Sequence, residues 1–124
     1  MDENLKPLAW IGSSYNELLD FPQAVRRTVG FALYRAQLGQ KHESTKPLKG
    51  FGGASVLEII ANDEGDTFRT VYTVRFANVM YVLHCFQKKS KSGIATIRQD
   101  IELIKTRLKQ AEKEYERWKL EQSK

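Results

Sequence analysis

The stretch TFRTVYTVRFANVMYVLHCFQKKSKSGIATIRQ, residues 67–99, decides the fold and holds the excess charge. It carries Arg69, Arg75, Lys88, Lys89, Lys91 and Arg98 and no Asp or Glu, although the chain has 15 acids. Before it stand seven Lys and Arg against nine acids, and after it seven against six, so the net +5 has one location. From Phe68 to Phe76 aromatic and β-branched residues alternate with polar ones, and Val79 to Phe86 is almost wholly apolar. Short runs of this kind read as strands. Only Ala77-Asn78 is left between them, which predicts a tight antiparallel hairpin. Such a turn sets Arg69 opposite Phe86, Val71 opposite His84 and Arg75 opposite Met80. Opposed residues share a face. Arg69, Arg75, His84 and Phe86, over a floor of Val71, Met80 and Val82, then form one side. Phe68, Tyr72, Val74, Phe76, Tyr81, Leu83 and Cys85 form the core side. Lys88 and Lys89 arrive where the second strand ends.

Outward from the hairpin, PLAWIG (residues 7–12) reads as an edge strand with Pro7 at its start, where a missing donor does least harm. Ser14 and Glu17 have the spacing of a capping box, giving a short helix over Tyr15 to Leu19. Phe21-Pro22 opens a second helix, in which Val25, Val29, Ala32, Leu33 and Ala36 form the buried stripe until Gly39 stops it. Arg26, Arg27 and Arg35 mostly fall off that stripe and read as a solvated face, with nucleic-acid contact the alternative. Residues 40–53 read as an irregular loop with Lys41, Lys46 and Lys49, and 54–61 (ASVLEIIA) as a strand in which Glu58 pairs structurally.

Past the hairpin, Thr96 and Gln99 suggest another capping box. Ile97, Ile101, Ile104, Leu108, Ala111, Tyr115 and Trp118 recur in alternating steps of four and three, a heptad seam on a helix of about 25 residues. The charged half, residues 109–124, either projects as an extension whose seam meets a partner helix or folds back onto the body.

The reading is α+β: one domain over residues 1–124, with a small antiparallel, mixed-edge sheet of about four strands, two N-terminal helices and a long C-terminal one. The 41% hydrophobic and 28% charged composition suits an ordinary globular protein. No stretch has the ~20 apolar residues of a membrane span and the N-terminus is no signal peptide, so a cytoplasmic location is expected. Cys85 is expected to be a buried, inert thiol. Two histidines and one cysteine lack zinc spacing, so neither metal nor cofactor is expected.

The run FRTVYTVRFANVMYVLHCFQKKSKSG, preceded by KPLKGFGGASVLEI, resembles the HigB-like, phage-derived branch of the RelE/ParE toxin superfamily. That family has an Arg-x-x-Tyr strand followed by Leu-His-x-Phe-x-Lys-Lys. Here these are Arg69 and Tyr72, then Leu83, His84, Phe86, Lys88 and Lys89. The similarity covers residues 9–108. It implies a toxin of a type II toxin–antitoxin pair that cuts mRNA on the ribosome and is neutralised by a cognate antitoxin, commonly of helix-turn-helix type. A homodimer or a heterotetramer with the antitoxin is the assembly expected.

The residues suit metal-independent RNA cleavage by the strand's own 2′-hydroxyl. Such a reaction needs one proton removed, one donated and an anionic phosphorane stabilised. Arg69 fits the last task, shared with Lys88 and Lys89, because its fork holds two phosphate oxygens and stays charged. His84 fits proton transfer, with neighbouring cations expected to favour its neutral form; a lysine is the other candidate. Phe86 suits stacking on a base, with Arg75, Lys91 and, by its match to the family's Leu-Lys-Gly, Lys49 as further RNA contacts. Two other functions fit the same charge: a ParE-type inhibitor of DNA gyrase, which is not an enzyme, and a non-catalytic RNA-binding phage accessory protein.

Overall fold

The computed structural model describes residues 5–88 and 98–123. Its elements are β1 (Leu8–Trp10), α1 (Ser14–Leu19), α2 (Gln23–Gln37), β2 (Thr45–Pro47), β3 (Val56–Asp63), β4 (Asp66–Thr73), β5 (Met80–Gln87) and α3 (Arg98–Gln122). They build a five-stranded sheet in the order β1-β5-β4-β3-β2, with β1 parallel to β5 and every other pair antiparallel. The strand beyond the expected four is β2. Its three residues lie in the stretch read as irregular and have no apolar pattern. Pro47 is tolerated there because β2 is an edge strand. Among the described residues no helix is long and apolar enough to cross a membrane.

The helices lie on opposite faces of the sheet. On one face Val25, Val29, Ala32, Leu33 and Ala36 of α2, all buried, pack with Leu18 and Phe21 against Leu57, Ile59, Phe68, Tyr72, Met80, Val82 and Cys85. Burial of each of the larger aliphatic side chains stabilises the fold by about 1.5–3 kcal/mol. The helix ends where expected: Gly39 takes φ +83, and Gly39 and Gln40 donate backbone bonds to Ala36 and Arg35. On the other face Ile104, Leu108, Ala111 and Tyr115 of α3 pack with Ile11, Phe51, Val56, Val71, Phe76, Tyr81 and Leu83.

The hairpin keeps the expected register only at its far end. Arg69 pairs with Phe86 and Val71 with His84, but Tyr72 pairs with Val82 and Thr73 with Tyr81. Leu83 is the extra residue of a β-bulge. The strands stop at Thr73 and Met80, so the connection is longer than Ala77-Asn78. Since one residue of slip exchanges the faces, Tyr81 and Leu83 leave the core side expected for them and join the α3 core. Met80 and Val82 move to the α2 core in exchange. Phe76 also joins the α3 core.

The C-terminal seam packs on the body through Tyr115 and Trp118. The Tyr115 ring sits 4.8 Å from that of Phe76, and its hydroxyl donates to Asn78 Oδ1 at 2.8 Å. Trp118 stacks on Tyr115 at 5.7 Å, leaving Leu120 as the exposed large apolar side chain of this segment. Thr96 and Ile97 lie outside the described residues.

Candidate functional site

Arg69, His84 and Phe86 share the α3 side of the sheet, as the pairing of residues 69 with 86 and 71 with 84 requires. Their surroundings differ from those expected. Arg69 Nη1 sits 2.7 Å from Glu58 Oε1, and both side chains are buried. The acid-free segment does not make an acid-free environment, because β3 lies alongside β4. Glu58 pairs with Val71 and Ile60 with Arg69, so Glu58 and Arg69 are diagonal neighbours on one face. The acidic partner of Arg69 thus comes from outside residues 67–99, and the structural pairing expected of Glu58 is present.

His84 is held more completely. Its Nδ1 is 3.0 Å from Glu17 Oε1 and its Nε2 is 2.7 Å from Asp100 Oδ1. Both contacts are hydrogen bonds at once only when each ring nitrogen carries a proton. The ring stacks on Phe86 with centroids 4.6 Å apart. The cations expected around it are thus replaced by two carboxylates and one arginine, Arg107, whose Nη1 lies 3.4 Å from Nδ1.

Arg107 closes the cluster. It donates to Glu17 Oε1 at 3.0 Å, to the Leu83 carbonyl at 2.9 Å and to Ser13 Oγ at 2.9 Å. Glu17 Oε1 also accepts the backbone N–H of Cys85 at 3.0 Å. Burial alone raises the Glu17 pKa, but the bonds from His84, Arg107 and Cys85 outweigh it and hold the carboxyl well below the usual range. The bulge sets Leu83 beside His84 on the α3 side, where the Leu83 carbonyl and the His84 ring both meet Arg107. Gly12 allows the approach: at φ +58, a Cβ there would lie 3.0 Å from Arg107 Nε.

Ser14 is not the cap expected of it. Its hydroxyl, fully buried, donates to the Val82 carbonyl at 3.1 Å, while Ser13 is the N-cap residue and its hydroxyl donates to Glu17 Oε2. Cys85 is a buried thiol, as expected. Burial pushes it up to about 12, against the hydrogen bond from Thr70, with Glu17 adding to the rise and Arg107 opposing it.

Lys88 follows β5, with its N–H bonded to the Thr67 carbonyl. Desolvation and then the charge of Arg69 lower its ammonium pKa, with Glu58 opposing and Lys46 adding to the fall. Lys46 lies on the same face, opposite Glu58. Half-buried Phe86 and Ile60 complete a surface with lysines at its rim and Arg69 in its floor. Lys89 and Lys91 lie outside the described residues.

The remaining two site residues lie elsewhere. Arg75, beyond β4, pairs with Glu112 of α3 at 3.2 Å and lines a groove of about 350 Å³ with Phe51, Lys105 and Lys109. Lys49 is exposed at the same end of the sheet, since Leu48 bonds to Val56, which pairs with Thr73. Neither joins Arg69 and Lys88 at the other end. Sequence reasoning missed Asp100 and Arg107, and read Lys46 as a loop lysine. Only Arg107 left a signal, because three residues after Ile104 and four before Ala111 it stands on the buried stripe of α3.

The family model described as phage derived protein Gp49-like (DUF891) matches residues 16–109. No curated protein sequence matches the chain at a significant level. Among solved structures, the E. coli toxin RelE, as a double arginine-to-alanine mutant in the free state, superimposes with a TM-score of 0.58. The two are 16% identical over 86% of this chain and 97% of that one.

Proposed function

We propose, for a chain that belongs to the Gp49-like family of phage-derived proteins and has the RelE toxin fold, that it is the toxin of a type II toxin–antitoxin pair and cuts mRNA on the ribosome. Its partner on this reading is an antitoxin. The observation that carries the reading is the surface at the Lys88 end of the sheet: Lys46 and Lys88 at the rim, Arg69 in the floor and Phe86 half-exposed between them. It offers an RNA strand cations for the phosphates and a ring for a base.

In the reaction the 2′-oxygen bonds to the adjacent phosphorus and the bond from phosphorus to the 5′-oxygen breaks. A proton leaves the 2′-hydroxyl and one reaches the departing 5′-oxygen, giving a 2′,3′-cyclic phosphate and a 5′-hydroxyl. Arg69 and Lys88 stabilise the charge gathering on the phosphorane. Proton transfer is assigned to the lysines, Lys88 with Lys89, because both nitrogens of His84 are already held by carboxylates. A lysine pushed below its ordinary value serves that role better than one left in water. His84 positions Phe86 through their stacking.

The locked state of His84 also favours a second reading, a ParE-type gyrase inhibitor that needs no proton transfer. Induction in cells, with mapping of mRNA 5′ ends and a supercoiling assay, separates the two. New ends within translated codons, lost in Lys88→Gln, support the nuclease. Inhibited supercoiling with intact mRNA overturns it in favour of the gyrase reading.

A further inference from the structure

Away from the candidate site, residues 23–42, spanning α2 and the turn after it, hold Arg26, Arg27, Arg35 and Lys41 and no Asp or Glu. The core uses the inner stripe of this helix. Its outer face carries Arg26, Arg27 and Gly30, all exposed, and Phe31, which is 53% exposed and belongs to neither core. The Phe31 ring is not idle on the surface. Arg35 Cζ lies over it at 5.8 Å from the centroid, and His42 meets it edge-on at 5.7 Å. Arg35 Nε in turn donates to Gln40 Oε1 at 2.9 Å, which fixes the guanidinium plane. A large apolar ring kept at the surface and flanked by a guanidinium and an imidazole suits a ligand with both flat faces and negative charge.

We propose that this outer face of α2 is a second RNA-binding surface, with phosphates on Arg26, Arg27 and Lys41 and an unstacked base on Phe31. It lies across the sheet from Lys46 and Lys88, because α2 packs on the face opposite α3. One RNA assembly can therefore be anchored at α2 while a strand lies on the other face. The charge disfavours an ordinary apolar docking helix, for which the face offers two aromatics, Phe31 and Tyr34, among arginines. An anionic membrane would use the arginines but leave the stacked Phe31 and Arg35 without a purpose. The identity of the polyanion rests on the RNA-directed reading above; the placement of the surface does not.

Binding, measured apart from cutting, tests it. The full chain is titrated into a fluorescent 2′-O-methyl RNA of about 20 nucleotides, which has no free 2′-hydroxyl to attack, at several salt concentrations. Phe31→Ala weakens binding on the order of tenfold, the loss expected of one base stack. Arg26→Gln with Arg27→Gln lowers the slope of log K against log salt by about 0.7 for each phosphate no longer neutralised. All three side chains are exposed, so unchanged circular dichroism and Tm are expected with these losses. Binding that is unchanged in the α2 variants but lost in Lys46→Gln with Lys88→Gln overturns the second surface and leaves the sheet face standing. Arginine-dependent binding to phosphatidylserine vesicles, with RNA affinity unchanged in the α2 variants, overturns it as well.

Discussion

Two ion-pair sites, one buried and one partly buried, lie on the same face of the sheet and do different work. Glu58 and Arg69 sit on adjacent strands that the backbone ladder already holds together, so their pair adds little to the topology. Glu17, His84, Asp100 and Arg107 come from α1, β5 and α3, which no backbone ladder joins. One site is an inlay in a finished sheet and the other fastens three elements. The first pair can be removed whole at modest structural cost, whereas the second cannot.

Substitutions can break this contrast. Arg107→Met has the largest expected effect, a loss of about 3 kcal/mol in urea unfolding, because it takes the guanidinium from Glu17, which keeps His84 and the Cys85 N–H, and from the Leu83 carbonyl. A loss under 1 kcal/mol would show that the three elements are held by their apolar contacts alone. Glu17→Gln follows at about 1–3 kcal/mol at neutral pH. Its pH dependence has a definite sign. The folded-state pKa of Glu17 lies below the ordinary 4.5, so its stabilisation is complete above that value and is lost as pH falls through the folded one. The gap between wild type and variant therefore narrows in acid, and a gap that widened would exclude the carboxylate as its source.

The first site sharpens the comparison. Arg69→Leu with Glu58→Leu removes both charges together, and stability is expected to stay within about 1 kcal/mol of wild type or to rise. Cleavage of mRNA is expected to disappear in the same protein. A fold lost with the pair would make it a fastener too. The smallest effect belongs to Arg75→Ala, whose half-exposed pair with Glu112 is worth about 0.5 kcal/mol in thermal unfolding.

Much of this was legible in the residues. The apolar periods of α2 and α3 announced their buried stripes, and the β-branched runs announced three long strands. β2 was hidden because a short edge strand containing Lys46 and Pro47 needs no apolar pattern. The bulge was hidden because nothing in Val79 to Phe86 marks Leu83 as the extra residue, and that one residue redirected half of the strand. The site was legible as residue types and not as environments. The segment around Arg69 lacks acids, but its neighbours in space come from residues 17, 58 and 100, and linear charge patterning cannot see them.

The central claim is that Arg69 and Lys88 act on RNA while His84 holds the structure. It is tested most directly by mapping mRNA 5′ ends in cells producing Lys88→Gln or His84→Asn at matched levels of folded protein. The Lys88 variant is expected to lose the new ends and the His84 variant to keep them. Cleavage that survives in the first and vanishes in the second would contradict the assignment.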